Sequence, residues 1–317
     1  YVLNINENLK NGKFQDAVEI FNKSILEYDA SAELYYAGAQ ISIKMDNLDQ
    51  ANKHLLKAIG LDPKNEDYRN GQEKLAELKD LLNKAKKTFD SGLINDALIE
   101  YEILTTKYPQ HAIVFYNLGL IYRAIEDYSL AVKNYQKAQN LNPFEVKYSL
   151  AVKAIAQMHA KEGDLEYRRQ EFDLAIENYQ KAIVYYSEYT TAIFKLARTY
   201  YRLKDFINAQ FYIEQGLSID SQQEQSEKML GDIYRNSDDI EQAMTHYSNA
   251  IKINENYFQA FYSLGSLYLS IGRLNDAHDV INKAIIIEPT YSKAYGTLGT
   301  VEQELGNINK AIQVATF

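Results

Sequence analysis

Cysteine and tryptophan are absent from the 317 residues, and proline occurs at only four positions. Without cysteine there is no disulfide scaffold, no thiolate metal site and no cysteine nucleophile, although the compartment stays open on that ground alone. Long apolar runs are missing too. None approaches the ~18 to 20 residues that span a bilayer, and no signal-peptide pattern opens the chain, so the expectation is a cytoplasmic protein without membrane insertion. Basic residues are in deficit, 34 Lys and Arg against 43 Asp and Glu for a net charge of -9, which argues against general affinity for nucleic acid. Phosphate-cradling and metalloprotease motifs, G-x-x-x-x-G-K-[ST] and H-E-x-x-H, do not occur. The five histidines, His54, His111, His159, His246 and His278, are scattered. No pair of carboxylates sits in an apolar setting that would separate their pKa values for acid and base work. No catalytic, cofactor-binding or metal-ligating residue is therefore assigned.

What the chain does contain is order with a period. Hydrophobic residues make up 46%, well above the disordered range, and no linker-like stretch divides the sequence. Ala17, Ala51, Ala97, Ala131, Ala175, Ala209, Ala243, Ala277 and Ala311 recur at intervals of 34 residues, twice lengthened to 46 and 44. With these alanines at position 20 of a 34-residue unit, position 32 takes all four prolines, Pro63, Pro109, Pro143 and Pro289. Position 8 is small, as in Ala39, Gly119, Gly163 and Gly231, with Ile5 the exception, and position 27 is small in most units. Position 24 is large: Phe21, Leu55, Tyr101, Tyr135, Tyr179, Ile213, Tyr247 and Ile281.

Helices cross closely only where one side chain is small, so positions 8, 20 and 27 mark backbone approach and the large residue at 24 fills the wedge between units. Proline at 32 ends the second helix in the four units that carry it. Gly12, Gly92, Gly272 and Gly306 at position 15, with Asp46 and Asp238 in other units, make the turn between paired helices.

Tyr116-Asn117-Leu118-Gly119, Tyr122, Ala131, Tyr135, Ala138 and Pro143 carry a resemblance to the tetratricopeptide repeat that extends over nearly the whole chain. It implies an all-α fold, a right-handed α-solenoid of about nine helix-turn-helix repeats with two extended helices. Residues 1–65 form repeats 1 and 2, 66–77 a helical insert, 78–145 repeats 3 and 4, 146–155 an apolar helical insert, and 156–317 repeats 5 to 9 of one continuous solenoid. Both ends cut through a repeat, which suggests a longer natural protein.

Neither insert contains proline, so each should lengthen the following first helix backwards, giving helices from about 66 to 91 and about 145 to 170. Leu75, Leu78, Leu82, Ala85 and Phe89 form one apolar stripe in the former, while Glu66 to Lys74, polar apart from Tyr68, should project into solvent. Val146, Tyr148, Leu150, Val152 and Ile155 leave the other insert almost no polar face. Either the adjacent solenoid covers it, or these residues are a lateral contact for a partner subunit or a second copy.

By the same resemblance, first-helix positions 2, 5, 9, 12 and 13 line the concave face. The residues placed there include Phe89, Tyr116, Arg123, Tyr167, Arg168, Phe194, Arg198, Tyr201, Arg202, Lys228, Arg235 and Tyr262. This face is aromatic and cationic within an acidic protein. It implies a non-enzymatic scaffold or adaptor subunit of a larger complex, binding other proteins and suited to an acidic or phosphorylated segment. The alternative is a regulatory or substrate-capture module of a larger enzyme. The family's chaperone-tail clamp is excluded, since only Asn117 matches its residue set.

Overall fold

The computed structural model describes residues 1–315, so Thr316 and Phe317, at the end of the ninth repeat, lie outside the described residues. Eighteen helices and no strand occur among the described residues. They come in pairs: α1 (Val2–Lys10) with α2 (Phe14–Glu27), α3 (Ala32–Lys44) with α4 (Leu48–Leu61), and α5 (Glu66–Asp90) with α6 (Ile94–Lys107). Next follow α7 (Ala112–Ala124) with α8 (Tyr128–Leu141), α9 (Val146–Arg169) with α10 (Phe172–Tyr185), and α11 (Thr190–Arg202) with α12 (Phe206–Ile219). The last pairs are α13 (Glu224–Asn236) with α14 (Ile240–Ile253), α15 (Phe258–Ser270) with α16 (Leu274–Ile287), and α17 (Ser292–Glu304) with α18 (Ile308–Ala315). Each helix packs mainly on its neighbours in the chain, which makes the fold an α-solenoid of helix hairpins.

Position 15 explains the hairpin. Gly12, Asp46, Gly92, Glu126, Gln170, Lys204, Asp238, Gly272 and Gly306 all have φ between 55° and 82°. The left-handed residue lets the next amide reach back across the helix end, as Asn47 N–H does to Ser42 O at 2.8 Å and Asp239 N–H to Tyr234 O at 2.9 Å. Glu126, Gln170 and Lys204 accept this conformation without glycine's freedom, a local cost of roughly 1 to 2 kcal/mol each by steric argument.

The small-residue columns lie inside. Ala17, Ala51, Ala97, Ala131, Ala175, Ala209, Ala243 and Ala277 are fully buried. The large side chain at position 24 does more than fill the wedge between repeats, because its ring lies on the position-8 residue of its own hairpin. A Cβ added at Gly119, Gly163 or Gly231 would stand 2.5 to 2.7 Å from Tyr135, Tyr179 or Tyr247. Ile5 occupies that place in the first repeat, and there Phe21 turns instead onto Gly38 of the next, where an added Cβ would come within 2.5 Å of the ring.

The two inserts lengthen α5 and α9 to 25 and 24 residues. The expectation that Glu66 to Lys74 projects into solvent is corrected for one face: Glu66, Asp67, Arg69, Asn70, Glu73 and Lys74 are exposed, but the helix packs through Tyr68 and Gly71. Tyr68 is only 4% exposed and its ring lies 4.9 Å from that of Tyr36 on α3. Gly71 brings the α5 backbone so close that an added Cβ would be 3.3 Å from Leu55. In the second insert, Tyr148, Val152 and Ile155 face inward and are unavailable for the lateral contact expected of them, whereas Val146 and Leu150 are exposed. Tyr148 packs with Ala112, Ala138, Phe115 and Tyr116.

The chain divides into two units, Tyr1–Ile155 and Ala156–Phe317, the boundary falling within α9. Each has its own buried clusters.

Candidate partner-binding face

The first helices of the second unit carry a patterned set of charges. Two aspartates at position 9, Asp164 on α9 and Asp232 on α13, organise it. Asp164 accepts from Tyr179 Oη at 2.8 Å and from Lys195 Nζ at 2.6 Å. Asp232 accepts three bonds: Tyr201 Oη at 2.8 Å, Lys228 Nζ at 2.6 Å and Tyr247 Oη at 2.8 Å. In each case the tyrosine at position 24, anchored on its glycine, extends its hydroxyl to the carboxylate. Burial, joined by the adjacent aspartate, pushes the Tyr179, Tyr201 and Tyr247 phenols above their ordinary range, so they remain donors. These carboxylates engage Lys195, Lys228 and Tyr201 internally and tie neighbouring hairpins together.

The arginines are placed differently. The Arg198 guanidinium stacks over the Tyr167 ring, 4.9 Å from its centroid, while remaining exposed. Tyr167 is itself steadied by Phe172 at 5.5 Å. Arg168 and Arg202 are exposed, and neither forms an ion pair among the described residues. Arg235 is exposed beside Tyr247, whose phenol it draws downward against the larger effect of burial. Lys228 and Arg235 share α13, yet only the former is held by a carboxylate.

Of the aromatic residues expected on this face, Phe194 has a packing role. It lies against Gly216 at position 27, where an added Cβ would come within 2.4 Å of the ring. Tyr262 meets Tyr291 edge to face at 5.1 Å, and Phe258 meets Tyr291 at 5.0 Å. In the first unit, Phe89 is half-buried against the core cluster around Leu82, Tyr101 and Leu118. Tyr116 is lodged between Tyr135 at 5.6 Å and Tyr148 at 5.1 Å. Arg123 is exposed near Tyr135, a phenol that burial pushes up to about 12 with Arg123 opposing. The expected residues thus fall into a set used for packing, Lys228 held by Asp232, and exposed arginines, Arg123 in the first unit and Arg168, Arg198, Arg202 and Arg235 in the second. Asp164 and Lys195 were missed as site-shaping residues. The signal was the repetition of Asp at position 9 in the fifth and seventh repeats, each with a lysine at position 5 or 6 nearby.

Among the described residues no group of three or more His, Cys, Asp or Glu stands close enough to hold a metal ion. No helix there is long and apolar enough to cross a membrane.

Tetratricopeptide repeat profiles match residues 32–65, 190–223 and 258–291 in one form and 112–144 in another, and a TPR repeat profile matches 231–272. The chain belongs to the tetratricopeptide repeat family. TPR arrays bind other proteins in general, and an array built of such repeats is typically a non-catalytic interaction module. Among solved structures, MamA protein is similar at 24% identity over 51% of this chain and 88% of its own, with a TM-score of 0.47. MamA from Desulfovibrio magneticus RS-1 shows 15% identity over 51% of this chain and 91% of its own, with a TM-score of 0.47. YrrB, described as a TPR protein with an unusual peptide-binding site, shows 17% identity over 61% and 95%, with a TM-score of 0.40. No curated protein matches this TPR chain.

Proposed function

We propose that this TPR chain is a scaffold or adaptor subunit that captures an acidic or phosphorylated protein segment on the first-helix face of its second unit. The observation that carries the reading is the division of labour among the cations. Lys195 and Lys228 are neutralised by Asp164 and Asp232, whereas Arg168 and Arg202 stay exposed without an ion pair among the described residues and Arg198 is held on an aromatic ring. Stacking restricts the Arg198 side chain before any partner arrives, which lowers the entropy lost on binding. A guanidinium offers two parallel N–H donors to a carboxylate or phosphate, and Arg and Tyr are the side chains that dominate interface energies. Arg198 and Arg202 are four residues apart on α11, so their guanidinium groups share one face. The neighbouring tyrosines Tyr167 and Tyr201 supply flat, half-buried surface for an apolar anchor in the same segment.

The test is direct binding of fluorescent peptides carrying alternating Glu and Leu, with Gln and Leu analogues as controls. The double variant Arg198→Glu with Arg202→Glu should bind the acidic peptide at least about thirtyfold more weakly, the equivalent of losing ~2 kcal/mol. Lys283→Glu, exposed on the second helix α16, should leave affinity unchanged. Equal affinities for wild type and the double variant would remove this face as the binding site.

A further inference from the structure

In an array of repeats each hairpin ordinarily touches only its neighbours. The first unit breaks that rule at one carboxylate. Asp46, the left-handed turn residue between α3 and α4 with φ 55°, reaches past the third repeat. Its Oδ1 accepts the Ile113 N–H at 3.1 Å, and its Oδ2 accepts Asn142 Nδ2 at 2.8 Å and Tyr148 Oη at 2.7 Å. These donors lie 67, 96 and 102 residues away in sequence. Asn142 is 2% exposed and Tyr148 fully buried. A second long-range contact lies nearby, Phe14 at the start of α2 meeting Phe144 edge to face at 5.9 Å.

The reason for a carboxylate here is local. Helix α7 begins at Ala112 with His111 as its N-cap, and the His111 side chain makes no capping hydrogen bond. The Ile113 amide is one of the orphan donors of a helix N-terminus, where the dipole favours negative charge. An aspartate side chain from another repeat fills the role that an N-cap residue would fill from within. Two buried side-chain donors, fixed by the end of α8 and the first turn of α9, complete three-point recognition of a carboxylate.

We propose that Ile113 N–H, Asn142 and Tyr148 form a carboxylate receptor whose ligand, Asp46, is supplied by the chain itself, making the turn of the second repeat a latch that ties the second hairpin to the fourth and to the start of α9. While the latch is closed, a recess of about 440 Å³ remains between the turn residues Asp46 to Asp49 and Lys79, Leu82 and Asn83 of α5. Lys79 and Leu82 stand at positions 2 and 5 of the third repeat, so the latch lies beside the first-helix face of that repeat.

The sequence itself supplies a gentle test variant. Position 15 is glycine in four other repeats, so Asp46→Gly retains a turn that the fold already uses while deleting the carboxylate. The measurement is amide hydrogen exchange at Ile113, first in wild type and Asp46→Gly, then with sodium acetate as a free carboxylate against equal sodium chloride. Asp46→Gly should speed exchange at Ile113 by about tenfold or more, and acetate but not chloride should restore protection. Asp238→Gly, the same change at the exposed turn of the seventh repeat, should leave Ile113 untouched. Unaltered exchange in Asp46→Gly would overturn the latch. Acetate acting no better than chloride would overturn the receptor, and equal acceleration by Asp238→Gly would reduce the effect to turn damage.

Discussion

At Asp232 a single carboxylate settles the conformation of three donors from three helices. Tyr201 comes from α11, Lys228 from α13 and Tyr247 from α14, so the contact joins two repeats as well as the two helices of one. Asp232→Asn keeps the shape but removes the charge, and one amide oxygen cannot accept from all three. We expect a loss of ~1.5 to 3 kcal/mol in chemical denaturation, the range for hydrogen bonds to a charged group. An unchanged midpoint would mean that these bonds do not join the repeats. His111 gives a second test at this scale. Burial holds its imidazole below the ordinary value of 6.5, with the nearby Asp46 only partly opposing. A histidine with a depressed folded-state pKa contributes stability that is present above the unfolded value and lost as pH falls through the folded one. Between about pH 7 and pH 5 wild type should therefore lose more stability than His111→Gln, measured by urea denaturation at each pH. Parallel pH profiles would contradict the burial argument.

Elements were the most legible level of this sequence, and their failures are instructive. The 34-residue register located hairpins because close helix crossing calls for small residues where backbones approach and a large one between them, which leaves a repeated mark in composition. The turns at Glu126, Gln170 and Lys204 are not legible in composition because Glu, Gln and Lys, unlike glycine and aspartate, do not mark a left-handed turn. The beginning of α5 was misjudged for a related reason. Its buried stripe extends backwards from Leu75 through Gly71 to Tyr68, at the same steps of three and four, but a glycine does not register as apolar. Only the ring of Tyr36 and the side chain of Leu55 reveal that Gly71 is a contact point. Tyr68→Ala should destabilise the protein by ~3 kcal/mol or more, as for other large buried aromatic truncations, read from the denaturation midpoint. A neutral result would return this segment to solvent. The candidate site was legible in residue type and position, since exposed arginines at positions 9 and 13 follow from the register. Of the neutralised lysines, Lys228 stands four residues before Asp232 on α13, a pairing that spacing reveals, whereas Lys195 reaches Asp164 from the next repeat, which depends on side-chain reach that periodicity does not encode.

At the scale of the whole molecule, a repeat array turns a local sequence rule into a long presented surface, with stability summed over hairpins and their interfaces. Two features depart from that uniform scheme. The first unit is cross-braced by Asp46, and the second arranges its charges so that aspartates absorb two lysines and expose arginines. Both departures bear on where a partner can be held. The proposed binding face is that of α9 and α11 in the second unit, where an aromatic platform and exposed guanidinium groups coincide. Capture from native extract tests this most directly, with wild-type chain compared side by side with Arg198→Glu plus Arg202→Glu, both verified as folded by circular dichroism. The account predicts that proteins retained by wild type and eluted by excess acidic peptide are lost from the double variant. Retention of the same proteins in the same amounts by both chains would contradict it.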